Sequence, residues 1–215
     1  MRAWQAAGWD VVLWHSGQLA ASPMVGVELR HVSDVIAGSV AENALHYERK
    51  HKNHAACADL FRYHVLSELG GSYCDIDVLP DSASAPAFFE KRVLPGFDRS
   101  WFSRKNRLSL PWSLEIRFIF TPTPKHPLLM TLRDTAVCNS ERFITEGGYK
   151  KGLGSVLHRT GPLMARDVVM AYAAENRQRL NAFLLTRVLN DSTPENINEH
   201  FHAKFPEILR IANEN

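Results

Sequence analysis

The sequence has few cysteines, no large excess of charge of either sign and no long hydrophobic run. Its three cysteines, Cys57, Cys74 and Cys138, are widely spaced and form no CxxC pair, which argues against a disulfide framework and a zinc knuckle. The formal net charge of +2 is too small to indicate nucleic acid or an anionic membrane as a partner. No apolar run reaches the roughly 20 residues of a membrane-spanning helix, and the first residues lack the apolar core of a signal peptide. We therefore expect a cytoplasmic protein with reduced cysteines, no membrane span and no nucleic-acid partner.

The residues that are present predict a single folded α/β domain over 1–215. Apolar residues make up 45% of the 215 and charged residues 22%, which is typical of a globular core rather than of disorder. No internal repeat or long linker interrupts the chain. Helical and strand patterns alternate along it. Helices are predicted before Gly8 and over 53–69, 126–140 and 162–180, and strands over 9–14 and within 26–36, 114–127 and 181–191.

The clearest helix is predicted in the segment "NHAACADLFRYHVLSELGG". Asn53 can cap its amino terminus, and apolar residues such as Phe61 and Val65 recur at helical spacing. Gly70 and Gly71 end the pattern, because glycine readily adopts the backbone conformation that closes a helix. A strand is expected to follow directly.

That following stretch, "SYCDIDVLP", contains two aspartates in an otherwise apolar run. Strand side chains alternate between faces, so Cys74, Ile76 and Val78 are predicted to be buried while Asp75 and Asp77 emerge together on the other face. Two carboxylates that close repel each other unless a cation lies between them. Hard oxygen ligands favour Mn²⁺ or Mg²⁺ bridging to a phosphate. The alternative is an Asp-x-Asp pair without a ligand, which is common in loops.

The helix and this stretch together, "NHAACADLFRYHVLSELGGSYCDIDVLP" over 53–80, resemble the signature of glycosyltransferases with a sugar-binding region containing the DXD motif. This group includes the yeast initiating mannosyltransferases and, more distantly, the large clostridial glucosylating toxins. Weaker similarities follow in family order in "GWDVVLW", "FIFTPTPKHPLL", "HRTGPLMARDVV" and "NEHFHAKF". The positions that match the signature are Asp59, Arg62, Tyr63, Leu66, Gly70, Gly71, Tyr73, Asp75 and Asp77.

The resemblance implies a GT-A-like, Rossmann-related mixed sheet flanked by helices. Members of the family begin with a strand similar to Ile-Pro-Lys-Ile-Ile-His that this sequence does not contain, so we expect the first family strand to be missing. The implied reaction transfers a sugar from a nucleotide diphosphate sugar donor to an unknown glycan or protein acceptor, with a divalent metal and with retention of the anomeric configuration.

Roles for individual residues also follow from the resemblance. Asp75 and Asp77 are expected to be catalytic and to ligate Mn²⁺ or Mg²⁺, with Asp75 also touching the donor. Asp59, Arg62 and Tyr73 are expected to bind the donor. Asp59 and Arg62 are three residues apart on one helix, so the alternative for them is a surface ion pair worth about half a kcal/mol.

Three more residues are candidates outside the helix and strand of the signature. Thr160 and Gly161 open a helix whose first amide groups can meet a phosphate or sugar, or they form an ordinary helix start with a proline in its first turn. His200, or its neighbour His202, is a candidate metal ligand, although a single histidine is more often a surface or packing residue.

Two other functions remain open from the sequence. One is a phosphatase that uses the first aspartate of an Asp-x-Asp pair as nucleophile, although Val78 and the Gly-Gly-Ser-Tyr stretch before the motif fit that pattern poorly. The other is a non-catalytic or truncated relative that binds a sugar nucleotide or serves as a scaffold.

Overall fold

The computed structural model describes residues 1–18, 24–76, 78–80, 86–98, 114–147 and 154–185, in two compact units. The first unit takes the described residues of 1–34 and 74–91, and the second takes those of 35–73 and 92–186. The helices are α1 (Arg2–Ala6), α2 (Ser33–Ile36), α3 (Glu42–Lys50), α4 (His54–Leu69), α5 (Pro86–Phe89), α6 (Pro127–Thr145), α7 (Gly154–Arg159) and α8 (Pro162–Glu175). The strands are β1 (Val11–His15), β2 (Val27–His31), β3 (Gly71–Cys74), β4 (Gly96–Asp98), β5 (Glu115–Thr121) and β6 (Leu184–Leu185). Within these ranges, no helix is long and apolar enough to cross a membrane.

The first unit contains a pair of parallel strands, β1 and β2. Their register runs from Val11 opposite Val27 to His15 opposite His31. The strand predicted over 9–14 is confirmed, but it begins two residues later, because the Trp9 amide donates to the Trp4 carbonyl at 3.1 Å and so still belongs to the end of α1. The predicted short helix before Gly8 is confirmed as α1.

The second unit contains a four-stranded mixed sheet in the order β3-β5-β4-β6. Strand β4 is antiparallel to β5 and parallel to β6, and helix α4 packs against α3 and α6. This architecture of small sheets and helices confirms the predicted α/β class. The largest fully buried side chains of this unit include Leu60, Tyr63, Leu66, Phe97, Phe118, Ile119, Leu128, Leu132 and Phe183.

Helix α4 forms as its sequence predicts. The Asn53 side chain accepts a hydrogen bond from the Ala56 amide at 3.4 Å, and the helix ends at Leu69. Its polar side chains Arg62 and His64 are buried together with its apolar ones, so α4 is surrounded by protein. Burial lowers the pKa of His64, whose Nε2 lies 2.9 Å from the Val35 carbonyl oxygen.

The turn after α4 requires two glycines for different reasons. Gly70 has φ of 71° and ψ of −163°, a backbone region almost restricted to glycine, and a Cβ there would lie 3.0 Å from the Pro124 nitrogen. Gly71 also has positive φ, 84°, but a Cβ there would meet nothing within 4 Å. Of these two glycines, only Gly70 therefore combines backbone strain with a close neighbour.

We expect Gly70→Ala to lower the free energy of unfolding by about 3 kcal/mol and Gly71→Ala by about 1 kcal/mol. The two variants share the conformational penalty, and only the first adds a collision with the Pro124 backbone. Urea denaturation of both variants measures the difference. Equal losses would contradict a rigid contact between the Gly70 turn and Pro124.

The later helices also begin where their sequences indicate. Helix α6 starts at Pro127, and the Nδ1 atom of His126 accepts from the Leu128 amide at 3.2 Å. Burial lowers the pKa of His126, which keeps the ring neutral and able to accept. Helix α8 starts at Pro162 as predicted. The strand predicted within 181–191 is confirmed only as β6, after a 3₁₀ turn at Leu180–Phe183.

The strand predicted to carry both aspartates is shorter than its pattern indicates. Strand β3 ends at Cys74, and the Val78 amide donates to the Asp75 carbonyl at 3.1 Å, which turns the chain away from the strand direction. Ile76, predicted to be buried, is 44% exposed. The predicted strand is therefore wrong beyond Cys74, as is the predicted burial of Ile76, whereas the predicted burial of Val78 is confirmed. Aspartate favours turns, and here the turn prevails over the apolar alternation.

Candidate functional site

The first part of the candidate site is the turn that follows β3. Asp75 is half-buried, and its carbonyl accepts the Val78 amide, while the Val78 carbonyl accepts the Trp4 indole Nε1 at 3.0 Å. Asp77 lies outside the described residues. Nor do the residues with a described placement include a group of three or more His, Cys, Asp or Glu side chains that could hold a metal ion. Asp75 is thus the described carboxylate of the pair.

A separate set of candidate residues forms a buried polar cluster in the second unit, which we call the Asp59 cluster: Asp59, Arg62, Tyr73 and Thr160. The Thr160 hydroxyl donates to Asp59 Oδ2 at 3.0 Å, and Arg62 Nη2 lies 3.4 Å from Asp59 Oδ1. The Arg62 guanidinium carbon lies 4.9 Å from the centroid of the Tyr73 ring. Residues from α4, β3 and the segment before α8 therefore converge here, and donor binding by Asp59, Arg62 and Tyr73 stays a prediction.

Arg62 is held from several sides. Its Nη1 donates to the Ile116 carbonyl on β5, and its Nε donates to the Ala58 carbonyl at 3.3 Å. Asp59 is 5% exposed and Arg62 4%, so the alternative of a surface ion pair is wrong. A buried guanidinium is stable only when its donors have acceptors and its charge has a partner, and this cluster supplies both.

Thr160 and Gly161 have bonds within the protein. The Thr160 side chain is fully buried, and the backbone carbonyl of Thr160 accepts a hydrogen bond from the Tyr63 hydroxyl at 3.0 Å. The amides of Thr160 and Gly161 both donate to the Val156 carbonyl, at 3.0 and 2.9 Å, and so close α7. These bonds show Thr160 joining α4 to the loop before α8. Donor binding by these two residues stays a prediction.

The sequence did not lead us to predict a buried ion pair that lies beside the cluster. Arg159, the residue before Thr160, places Nη2 2.8 Å from Glu48 Oε1, with its guanidinium 3.7 Å from the centroid of the Phe143 ring. Glu48 is fully buried and also accepts from Asn53 Nδ2 at 2.8 Å. One signal was available: Glu48 follows Ala44 at helical spacing, on the buried face of α3.

Comparison with known proteins identifies the stretch that holds Asp59, Arg62, Tyr73, Asp75 and Asp77. Residues 8–92 match the model of the family described as the glycosyltransferase sugar-binding region containing the DXD motif. Residues 8–92 are thus similar to a DXD-type glycosyltransferase region. We call residues 8–92 the DXD region. Thr160, Gly161 and His200 lie beyond it, and His200 is outside the described residues as well.

A solved structure, the PaToxG glycosyltransferase, has a similar fold. The similarity covers 71% of this chain and 50% of that one, with a TM-score of 0.50 at 17% sequence identity. This chain therefore matches half the length of that structure. The likeness supports the GT-A-like fold expected around the DXD region. No curated protein matches the chain.

Proposed function

We propose that this protein transfers a sugar from a nucleotide diphosphate sugar to a hydroxyl group of a glycan or protein acceptor, with Mn²⁺ or Mg²⁺ and with retention of configuration. The observation that carries the proposal is the position of the Asp-x-Asp motif. The motif lies within the family match, and its first aspartate, Asp75, comes directly after β3, where its carbonyl accepts the Val78 amide and the Val78 carbonyl accepts Trp4 Nε1.

The described part of the motif fits a hard divalent cation. The Asp75 carboxylate is half-buried and supplies the oxygen ligands that Mg²⁺ and Mn²⁺ prefer. Asp77 would add a second carboxylate. Two carboxylates leave positions for phosphate oxygens and water, as is usual for Mg²⁺ sites. When bound, the ion would offset the negative charge that builds on the departing nucleoside diphosphate.

The Asp59 cluster has a positioning role in this proposal. Asp59 and the Ile116 carbonyl fix the Arg62 guanidinium, and Arg62 packs on the ring of Tyr73 in β3. Asp75 follows Tyr73 by two residues, so the cluster fixes the strand from which the metal-binding residues extend. Asp59, Arg62 and Tyr73 also remain our candidates for contact with the donor, together with Thr160 and Gly161.

A thermal-shift panel tests the proposal. UDP-, GDP-, ADP- and CMP-sugars are each added with and without Mn²⁺ to the wild type, to Asp77→Asn and to a control variant, Asp167→Asn, which alters an exposed carboxylate on α8. A ligand that binds the native state raises its melting temperature by mass action. We expect one donor to stabilise the wild type and the control only when Mn²⁺ is present, and to leave Asp77→Asn unchanged.

Turnover is then measured with the donor that stabilises the protein. Release of the nucleoside diphosphate distinguishes a transferase from a protein that only binds the donor. Stabilisation of Asp77→Asn equal to that of the wild type would contradict the metal role of the motif, and the absence of any donor effect in the wild type would contradict the proposed function.

A further inference from the structure

The amino-terminal helix is tied to the segment that follows the Asp-x-Asp motif. Trp4 is the one buried residue of α1, and its indole Nε1 donates to the Val78 carbonyl at 3.0 Å in the interior of the first unit. Val78 is itself 5% exposed. A buried carbonyl must have a donor, and here the donor comes from a residue 74 positions earlier in the chain.

Val78 is therefore held through both sides of its backbone. Its amide donates to the Asp75 carbonyl at 3.1 Å. Its carbonyl accepts from Trp4. Removal of the Trp4 bond would leave Val78 held to Asp75 by the local backbone bond and by packing.

Aromatic packing fixes Trp4 in place. The Trp4 and Trp9 rings meet edge to face with centroids 6.1 Å apart, and Trp9 packs on Phe89 of α5 at 5.3 Å. Gly8, with φ of 91°, turns the chain between the two tryptophans. An aromatic ring at position 9 is enough for this packing, whereas the bond to the Val78 carbonyl comes from the indole N–H of Trp4.

We propose that Trp4 is a positioning residue for the metal site: its indole N–H holds the Val78 carbonyl, so that the backbone at Asp75 is held in place before the cation and donor bind. The proposal rests on the proposed function. It differs from a general packing role because it assigns the effect to one hydrogen bond, and a phenylalanine at position 4 would remove that bond while keeping an aromatic ring.

The test compares Trp4→Phe with Trp9→Phe, which shortens the other tryptophan of the same cluster and leaves the bond to Val78. Mn²⁺ is titrated at a fixed concentration of the stabilising nucleotide sugar. We expect the Mn²⁺ concentration for half-maximal stabilisation to rise about five-fold in Trp4→Phe, the usual effect of losing one hydrogen bond, and to stay near the wild-type value in Trp9→Phe. Equal values in the two variants would overturn the proposal.

Hydrogen–deuterium exchange gives a second readout that needs no metal or donor. In the apo protein, Trp4→Phe should accelerate amide exchange in the peptide 74–80 more than Trp9→Phe does. If peptide 74–80 of Trp4→Phe exchanged at the wild-type rate, the proposal would be overturned even if this variant were less stable overall.

In the wild type, Mn²⁺ and donor together should protect peptides 1–9 and 74–80 from exchange. Protection of 74–80 with 1–9 unchanged would refute the coupling. No effect of any donor on the wild type would instead refute the proposed function, and the metal-site role of Trp4 with it.

Discussion

Replacement of Arg159 by methionine is expected to lower the free energy of unfolding by about 3–5 kcal/mol. The variant leaves the Glu48 carboxylate fully buried without the guanidinium that lies 2.8 Å away. A buried charge without its partner is among the most costly single changes in a folded protein. Methionine keeps a similar length and still packs on the Phe143 ring, so the loss reports on the charge rather than on a cavity.

A double variant, Glu48→Gln with Arg159→Met, is expected to recover most of that loss. Glutamine retains an acceptor for Asn53 Nδ2, and both charges of the Glu48–Arg159 pair are removed. The ion pair is in contact but not aligned as a hydrogen bond, so its main contribution is the mutual compensation of two charges. Replacing both members of such a pair is often neutral.

Urea denaturation of the wild type, both single variants and the double variant gives the coupling energy. Glu146→Gln, in a surface ion pair with Arg142 on α6, is the control and should not change stability measurably. A double variant no more stable than Arg159→Met alone would show that the two charges do not compensate each other.

Local rules predicted correctly where α4, α6 and α8 begin and where α4 ends, but α8 ends at Glu175 rather than at residue 180. Asn53 caps α4, Gly70 ends it, and Pro127 and Pro162 stand in the first turns of α6 and α8. Each feature depends on a few neighbouring residues, and the sequence displays those neighbours directly. The pairing of Asp59 with Arg62 was likewise predicted because three residues separate them on one helix.

The predictions that failed depend on partners far along the chain. The end of β3 at Cys74 involves a turn whose carbonyl at Val78 is bonded to Trp4, and no pattern in 68–80 indicates that bond. The burial of Arg62 depends on the Ile116 carbonyl, and that of Glu48 on Arg159. The sequence names the residues of such a site, but the fold decides which of them are enclosed by protein.

Asp75→Asn is expected to reduce nucleoside diphosphate release at least 100-fold, about the effect of removing one group that orients or offsets charge at a reacting centre. The amide removes a negative charge but keeps the side-chain volume. Asp75 is half-buried, and the Val78 amide bonds its backbone carbonyl, which the substitution leaves in place. We expect the melting temperature to change little, as measured by a thermal scan alongside the release assay.

Asp59→Asn makes the same chemical change and is expected to act through stability instead. It removes the charge that faces Arg62 at 3.4 Å in a buried cluster, so we expect a loss of about 2 kcal/mol. The residual release of nucleoside diphosphate by Asp59→Asn, measured well below its melting temperature, should exceed that of Asp75→Asn by at least about ten-fold. If both variants lost release and stability in the same proportion, Asp75 would be another structural carboxylate. Loss of release with retained stability requires a carboxylate that acts on the donor or its metal, because the fold does not depend on it.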